Sequence, residues 1–473
     1  MNRTVLFLSL AGGLALTALV LGLPQVTRPR TDPVVEVKTP PPTPPLPVQG
    51  TPGSLTMTSR LSHPYVPAGS SEVFATVDLM GAEVPGSKRR PVNLALVIDR
   101  SGSMSGYKLA QAKQAARHLV GLLRDEDRLA IVHYGSDVKS LPSAPATPAQ
   151  RERMLQYVDG IWDDGGTNIS AGLSAGRYQL STAQEGFGVN RLILLSDGQP
   201  TEGITDDEGL TRQVRELRAT GITVSAIGVG TDFNEDLMQG FAEYGAGAYG
   251  YLEDAGQLAA LFQKDLQQAS TTVARDVTLT FTLPSGTVLG EVLGYNARQS
   301  GNQVMVSLPN FSAGQLERVV VRLSTTGDAV GQTVRVTDLT LNYTDLIRNV
   351  GVENGAALSA VVTDRQEEVV ARQDKDATVY AVRARSAQNL QKAAEALREG
   401  RRDEAKGYIQ QNQVMFKEAS TVASPAAVAS DLAEQQATLD EYESAGSEEE
   451  VRSATKKSKV KALRGFGKVG STY

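Results

Sequence analysis

The chain has no cysteine, one tryptophan and three histidines in 473 residues. The first absence removes disulfides, thiolate catalysis and cysteine-based zinc sites together. It also removes a lipoprotein-type lipid anchor, which needs a cysteine, and it fits an extracytoplasmic protein that needs no oxidative folding. The histidines, His63, His118 and His133, are scattered without metal-ligand spacing. His118 falls on a predicted helix and His133 in a predicted strand, where packing is the ordinary role. Positive charge is not in excess either. The 47 Lys and Arg face 53 Asp and Glu, a formal net charge of −6, so nothing argues for nucleic-acid binding.

Long apolar runs are also scarce. The uncharged stretch from Thr4 to Leu23 has the length of one helical bilayer crossing. Residues 1–30 therefore read as a signal anchor or signal peptide, and Gly22-Leu23-Pro24-Gln25-Val26 is a poor cleavage site, which favours the anchor. Thr39-Pro40-Pro41-Pro42-Thr43-Pro44-Pro45 makes residues 31–52 a semi-rigid proline-rich linker. Together these predict a membrane-anchored protein whose body is extracytoplasmic, in the periplasm or at the cell surface.

Residues 53–90 read as β-strands, with alternation clearest over Glu72 to Leu79. From 91 to 267 strands and helices alternate. Strands are predicted near 92–99, 128–134, 191–197, 222–229 and 248–252, and helices near 106–123, 148–160, 168–181, 206–219, 234–243 and 255–268. That order predicts an α/β fold: an open, doubly wound, largely parallel sheet with helices on both faces. Residues 268–350 return to strands and read as a β-sandwich with too few strands to bury both faces alone. The strands of 53–90 are expected to complete it, leaving the α/β domain inserted. Residues 360–445 read as a helical hairpin region with Gly400 as a helix stop. Residues 446–473, with Lys456, Lys457, Lys459, Lys461, Arg464 and Lys468, read as a disordered, solvated basic tail.

The chemistry gathers at strand ends. The apolar run Val92 to Ile98 leads straight into Asp99-Arg100-Ser101-Gly102-Ser103, a loop with one carboxylate and two hydroxyls. Gly165-Gly166-Thr167-Asn168 offers a third hydroxyl just before a predicted helix, and a second apolar strand ends on Asp197. Parallel α/β sheets place their ligands at the carboxyl ends of strands. Asp99, Ser101, Ser103, Thr167 and Asp197 are therefore a candidate metal site. Hard oxygen donors suit a small hard cation, Mg²⁺ first, with Mn²⁺ or Ca²⁺ as alternatives. Only two carboxylates leave such an ion with affinity for one more anion. An Asp-x-Ser-x-Ser by itself occurs by chance, and Ser101 and Ser103 by themselves read equally as turn or N-cap residues. Neither alternative accounts for Thr167 and Asp197. Arg100 reads as a solvated loop charge or a rim residue.

These segments resemble a von Willebrand factor type A domain of the bacterial membrane-anchored kind. The resemblance is carried by Asn93 to Met104, by Leu195-Ser196-Asp197-Gly198 and by Gly228 to Met238. The five donors resemble that family's metal-ion-dependent adhesion site. The wider layout is similar to calcium-activated chloride channel homologues and to inter-alpha-trypsin inhibitor heavy chains. The resemblance implies that Ser101, Ser103 and Thr167 bind metal directly and that Asp99 and Asp197 bind it directly or through water. It also implies that a protein partner donates Asp or Glu to the remaining position. The function expected is thus a metal-ion-dependent protein-binding module, for adhesion or scaffolding at the cell envelope, and not an enzyme. Two alternatives stand beside it. One is a metal-assisted hydrolase of phosphate esters; that chemistry wants a second acid two residues after an Asp nucleophile, where this chain has Ser101, and a lysine to hold the phosphate, which the sequence does not place. The other is a structural scaffold with an idle metal site.

Overall fold

The computed structural model describes residues 49–50, 53–83, 90–230, 233–253 and 257–472. The described chain opens with four strands, β1 (Gln49–Gly50), β2 (Leu55–Leu61), β3 (Tyr65–Pro67) and β4 (Gly69–Gly81). An α/β domain follows: β5 (Asn93–Asp99), α1 (Tyr107–Leu122), β6 (Arg128–Tyr134), β7 (Val138–Pro145), α2 (Pro148–Asp159), α3 (Ile169–Ser181), β8 (Asn190–Ser196), α4 (Asp207–Ala219), β9 (Ile222–Val229), α5 (Glu235–Tyr244), β10 (Ala246–Leu252) and α6 (Leu258–Ser270). Strands then return as β11 (Thr272–Thr282), β12 (Thr287–Leu293), β13 (Ala297–Ser300), β14 (Gln303–Ser307), β15 (Phe311–Ser312), β16 (Leu316–Gly327), β17 (Thr333–Asp345) and β18 (Val350–Thr363). The helices α7 (Gln366–Ala371), α8 (Lys375–Arg398), α9 (Arg402–Val422), α10 (Pro425–Ser444) and α11 (Glu448–Gly465) come last.

The α/β sheet has the order β10-β9-β8-β5-β6-β7. It is parallel except at β7, which runs antiparallel to β6. An interior parallel strand is covered on both faces and so needs a near-continuous apolar run. β5 is buried along its whole length. Leu94, Leu96 and Ile98 enter the core under α1 and α6, while Ala95 and Val97 enter the core under α3, α4 and α5. The chain steps from β5 to β6 on one side and later to β8 on the other, so the strand order reverses beside β5. In such sheets the crevice at the carboxyl ends opens at this reversal. β7 was not foreseen from sequence, because Pro142 and Pro145 interrupt it; proline is tolerated in an edge strand, which is where β7 lies.

The strands before and after the α/β domain form one sandwich. One sheet runs β12-β16-β4-β2 and the other β1-β18-β17-β11-β14-β13. β4 and β16 pair antiparallel from Met80↔Leu316 to Gly69↔Gly327. Val73, Ala75, Val77 and Leu79 of β4 alternate inward, sharing a core with Leu279, Phe281, Leu339 and Leu341 of the facing sheet. Phe74 points outward into a second core with Ala381, Ala384, Ala462 and Phe466. The helical region starts later than expected from sequence. Val361 and Val362 still belong to β18, whose glycines and small alanines hide its strand character, and helix begins only at Gln366.

The reading of residues 446–473 as a disordered tail is corrected. Ser447 and Glu450 form a reciprocal cap that opens α11. Lys456 and Lys459 pair with Glu235, Lys459 also with Asp236, Lys457 with Glu253 and Lys468 with Glu243. Leu463 joins the core of the α/β domain. The lysines look unpartnered in sequence because their acids are remote; Glu235 lies 221 residues before Lys456.

The membrane-anchored, extracytoplasmic reading is also corrected. Among the described residues no helix is long and apolar enough to cross a membrane. Even α8, with 24 residues, carries charges along its length. The stretch 4–23 that suggested an anchor, and the linker before residue 49, lie outside the described residues.

Candidate metal centre

Three loops meet at the strand-order reversal. The first leaves β5 at Asp99 and makes one tight turn, Gly102–Met104, whose Met104 is buried in the core and pins the loop down. The Gly102 N–H donates to the Gly165 carbonyl at 3.2 Å, tying this loop to the second. In the second loop the Thr167 N–H donates to Thr201 Oγ1 at 2.8 Å, and the Thr167 carbonyl accepts from the Thr201 N–H at 3.0 Å. That joins it to the third loop, which leaves β8 at Asp197. Asn168 then caps α3 by accepting from the Ala171 N–H at 3.0 Å.

The five candidate donors come together. Ser101 Oγ and Ser103 Oγ are 3.1 Å apart, and Ser103 Oγ donates to Asp197 Oδ1 at 2.8 Å. A Cβ placed on Gly198 would lie 3.3 Å from Ser103 Oγ and 3.5 Å from Thr167 Oγ1, so both hydroxyls border the same small space. Any larger residue at 198 would intrude on it. Asp99 and Asp197 are fully buried at its floor. Asp99 Oδ1 accepts from the Ser101 N–H at 2.8 Å, and Asp99 Oδ2 accepts from Ser196 Oγ at 2.7 Å. Burial pushes the Asp99 carboxyl up to about 6 against these hydrogen bonds, and the neighbouring Asp197 adds to the push.

Four contributors were not singled out from the sequence. Ser196 holds Asp99, and Tyr134 OH approaches the same oxygen at 3.4 Å. Thr201 orients Thr167. Lys108, early in α1, places Nζ 2.5 Å from Asp197 Oδ2. A hydroxyl ending a buried strand was the available signal for Ser196; a lone lysine near a helix start carries none. Arg100 is corrected outright. It is neither solvated nor on the rim but 1% exposed, pairing with Asp137 and donating to the Asp164 carbonyl at 3.1 Å beneath the loops. His133 is buried against Tyr157, and burial, with Arg100 and Lys139 adding, lowers it to about 4. It is therefore neutral and structural.

Among the described residues no group of three or more His, Asp or Glu gathers as a metal cage. The centre is instead a mixture of hydroxyls and two carboxylates, a donor set that fits a small hard cation. That Lys108 already seats a cation against Asp197 points the same way.

The sequence model of the von Willebrand factor type A domain matches residues 93–264. This part of the chain is a von Willebrand factor type A domain. Domains of this family are generally metal-dependent protein-interaction modules and typically bind a divalent cation at the adhesion site. The chain is 30% identical over 260 residues to the uncharacterized protein YfbK of Escherichia coli (strain K12), covering 53% of this chain and 44% of that protein. It is 27% identical over 240 residues to inter-alpha-trypsin inhibitor heavy chain H2 of Sus scrofa, covering 48% of this chain and 25% of that one. The chain thus spans less than half the length of these relatives. Beyond the domain itself, the fold matches a von Willebrand factor type A structure from Catenulispora acidiphila with a TM-score of 0.65 at 18% identity, over 83% of this chain and 90% of that one.

Proposed function

We propose that this protein is a metal-ion-dependent protein-binding module. Asp99, Ser101, Ser103, Thr167 and Asp197 would hold Mg²⁺, with Mn²⁺ or Ca²⁺ as substitutes. The observation that carries the reading is the convergence of five oxygen donors from three loops on one small space at the strand-order reversal. A bound dication supplies a position for one further anionic oxygen. The two carboxylates of the chain balance its charge and leave none over, so an Asp or Glu of a protein partner suits that position. In a crevice with a buried floor its attraction exceeds that in open water. Ser101, Ser103 and Thr167 orient the donor ring, and Ser196 with the Ser101 N–H keeps Asp99 aimed at it.

A hydrolase of phosphate esters is disfavoured by the same geometry. Asp99 is buried with both oxygens engaged, so it is no free nucleophile, and Ser101 stands where a second acid would be needed. We therefore read the protein as a non-enzymatic binder. Isothermal titration with Mg²⁺ and Mn²⁺ should show one saturable site, and a pull-down should retain its partner in metal and lose it in chelator. A protein that takes up no metal at millimolar concentration has an idle site, which overturns the reading. Retention that ignores chelator overturns the partner mechanism.

A further inference from the structure

The carboxylate that faces the donor ring is already partnered by a cation belonging to the chain. Lys108 Nζ sits 2.5 Å from Asp197 Oδ2, while Ser103 Oγ holds the other oxygen at 2.8 Å. The Lys108 side chain has room for this pose because Gly230, just after β9, lies behind it without a side chain: a Cβ there would come to 3.2 Å from both Cε and Nζ. Gly230 also has φ +76, a conformation that favours glycine, so a residue with a side chain is disfavoured at this position on two counts. The Lys108 side chain is 27% exposed and so borders water, whereas the Asp197 side chain is wholly buried. Asp99 lies close by with hydrogen bonds from Ser101, Ser196 and Tyr134. No ion pair to Asp99 is present among the described residues.

We propose that Lys108 is an internal competitor for the metal centre. In the metal-free domain it neutralises Asp197 and keeps two neighbouring buried carboxylates from destabilising the crevice. A dication at the donor ring and an ammonium on Asp197 repel each other at close range in a poorly screened setting. Metal therefore enters only as Lys108 swings out to water. The lysine sets a threshold of cation concentration below which the crevice is closed to an acidic partner. This rests on the metal-binding reading above and concerns how that same site is regulated.

The test uses the full chain and titrates Mg²⁺ and Mn²⁺ into wild type, Lys108→Met and Lys108→Arg. Lys108→Met should bind metal at least tenfold more tightly than wild type, because the competitor is gone while the stem volume is kept. Lys108→Arg retains a cation and should not tighten. In chelator Lys108→Met should melt below wild type, and saturating Mg²⁺ should close that gap. A direct readout of the displacement is acetylation of Lys108 followed by mass spectrometry, which should be slow in chelator and faster in Mg²⁺. Wild-type binding with equal or weaker affinity in Lys108→Met overturns the competitor role and leaves the metal-binding reading standing. Absence of metal binding in every variant, Lys108→Met included, overturns both.

Discussion

Two clusters on the α/β domain pair lysines with carboxylates, and they are built to opposite ends. At the α5 surface, two lysines of α11 meet Glu235. Burial alone would raise its carboxyl, but Lys456 and Lys459 outweigh that and hold it down at about 2. Lys456 also donates to the Phe233 carbonyl at 2.9 Å. Charge there is satisfied inside the chain. At the metal centre the balance is reversed. Of two neighbouring buried carboxylates only Asp197 is paired with a lysine, and burial lifts Asp99 to about 6. One cluster fastens a helix in place. The other leaves Asp99 without a cationic partner among the described residues, which is the charge excess on which the proposed metal binding rests. Acidic residues beside lysines are thus not one kind of feature: the count of cations per buried carboxylate separates a fastener from a binding site.

The largest effect expected on this contrast is from Asp99→Ala. It removes one of only two carboxylates, and metal affinity measured by calorimetry should fall more than about 100-fold, with α11 still docked. Metal binding of wild-type strength in this variant would reassign the site. Glu235→Ala addresses the other cluster. It leaves Lys456, 4% exposed, buried without its carboxylate. Breaking such a pair costs about 3 kcal/mol. Hydrogen exchange should become faster in α11 and the start of α5, while affinity for Mg²⁺ stays within about twofold of wild type. Protection of α11 unchanged in Glu235→Ala would show that the apolar contacts of Leu463 and Phe466 hold it unaided.

Acidity should separate the two clusters in wild-type protein. Asp99 has a folded value of about 6, above its ordinary 3.8. The folded, metal-free domain therefore holds a proton that the unfolded chain releases, so Asp99 costs stability progressively as pH rises through that interval. Metal must displace the proton, and affinity should weaken about tenfold from pH 7 to pH 5. Glu235 is shifted the other way. Its contribution is fully present above its ordinary 4.5 and is lost only as pH falls toward about 2. Exchange protection in α11 should therefore be the same at pH 7 and pH 5. The smallest effect is expected from Thr167→Ala. Thr167 is only 4% exposed but is held by its backbone on the Thr201 side, so the loop should stay in place. Metal affinity should drop several-fold, with a stability change near 1 kcal/mol, as for loss of one hydroxyl contact. A larger loss of stability, measured by urea unfolding, would mean that the hydroxyl organises the loop instead.

Much of the frame was legible because it rests on local signals. Continuous apolar runs mark interior parallel strands, so β5, β6, β8 and β9 stood out within a residue or so, and the helices followed from the alternation between them. The five donors were legible because each ends a strand or precedes a helix. Elements without such a signal were missed. β7 is broken by Pro142 and Pro145, and β18 is diluted by Gly351 and Gly355. The companions of the donor ring were missed for a different reason: Ser196, Tyr134, Thr201 and Lys108 are ordinary residue types that acquire roles only from what lies opposite them.

Residue order alone determined the α/β alternation, most of the sandwich strands on either side of it and the choice of candidate oxygen donors, since all of these follow from periodicity and from chemistry at strand ends. Tertiary structure decided where charge is neutralised. Arg100 reads as a loop charge and is buried under the site; six basic residues from Lys456 to Lys468 read as a solvated tail and belong to a docked helix and its end. Lys108 carries no signal in the sequence and sits on Asp197. An ion pair is made by proximity in space, and its strength depends on burial. Both depend on contacts between residues as far apart as Glu235 and Lys456, which no local pattern encodes.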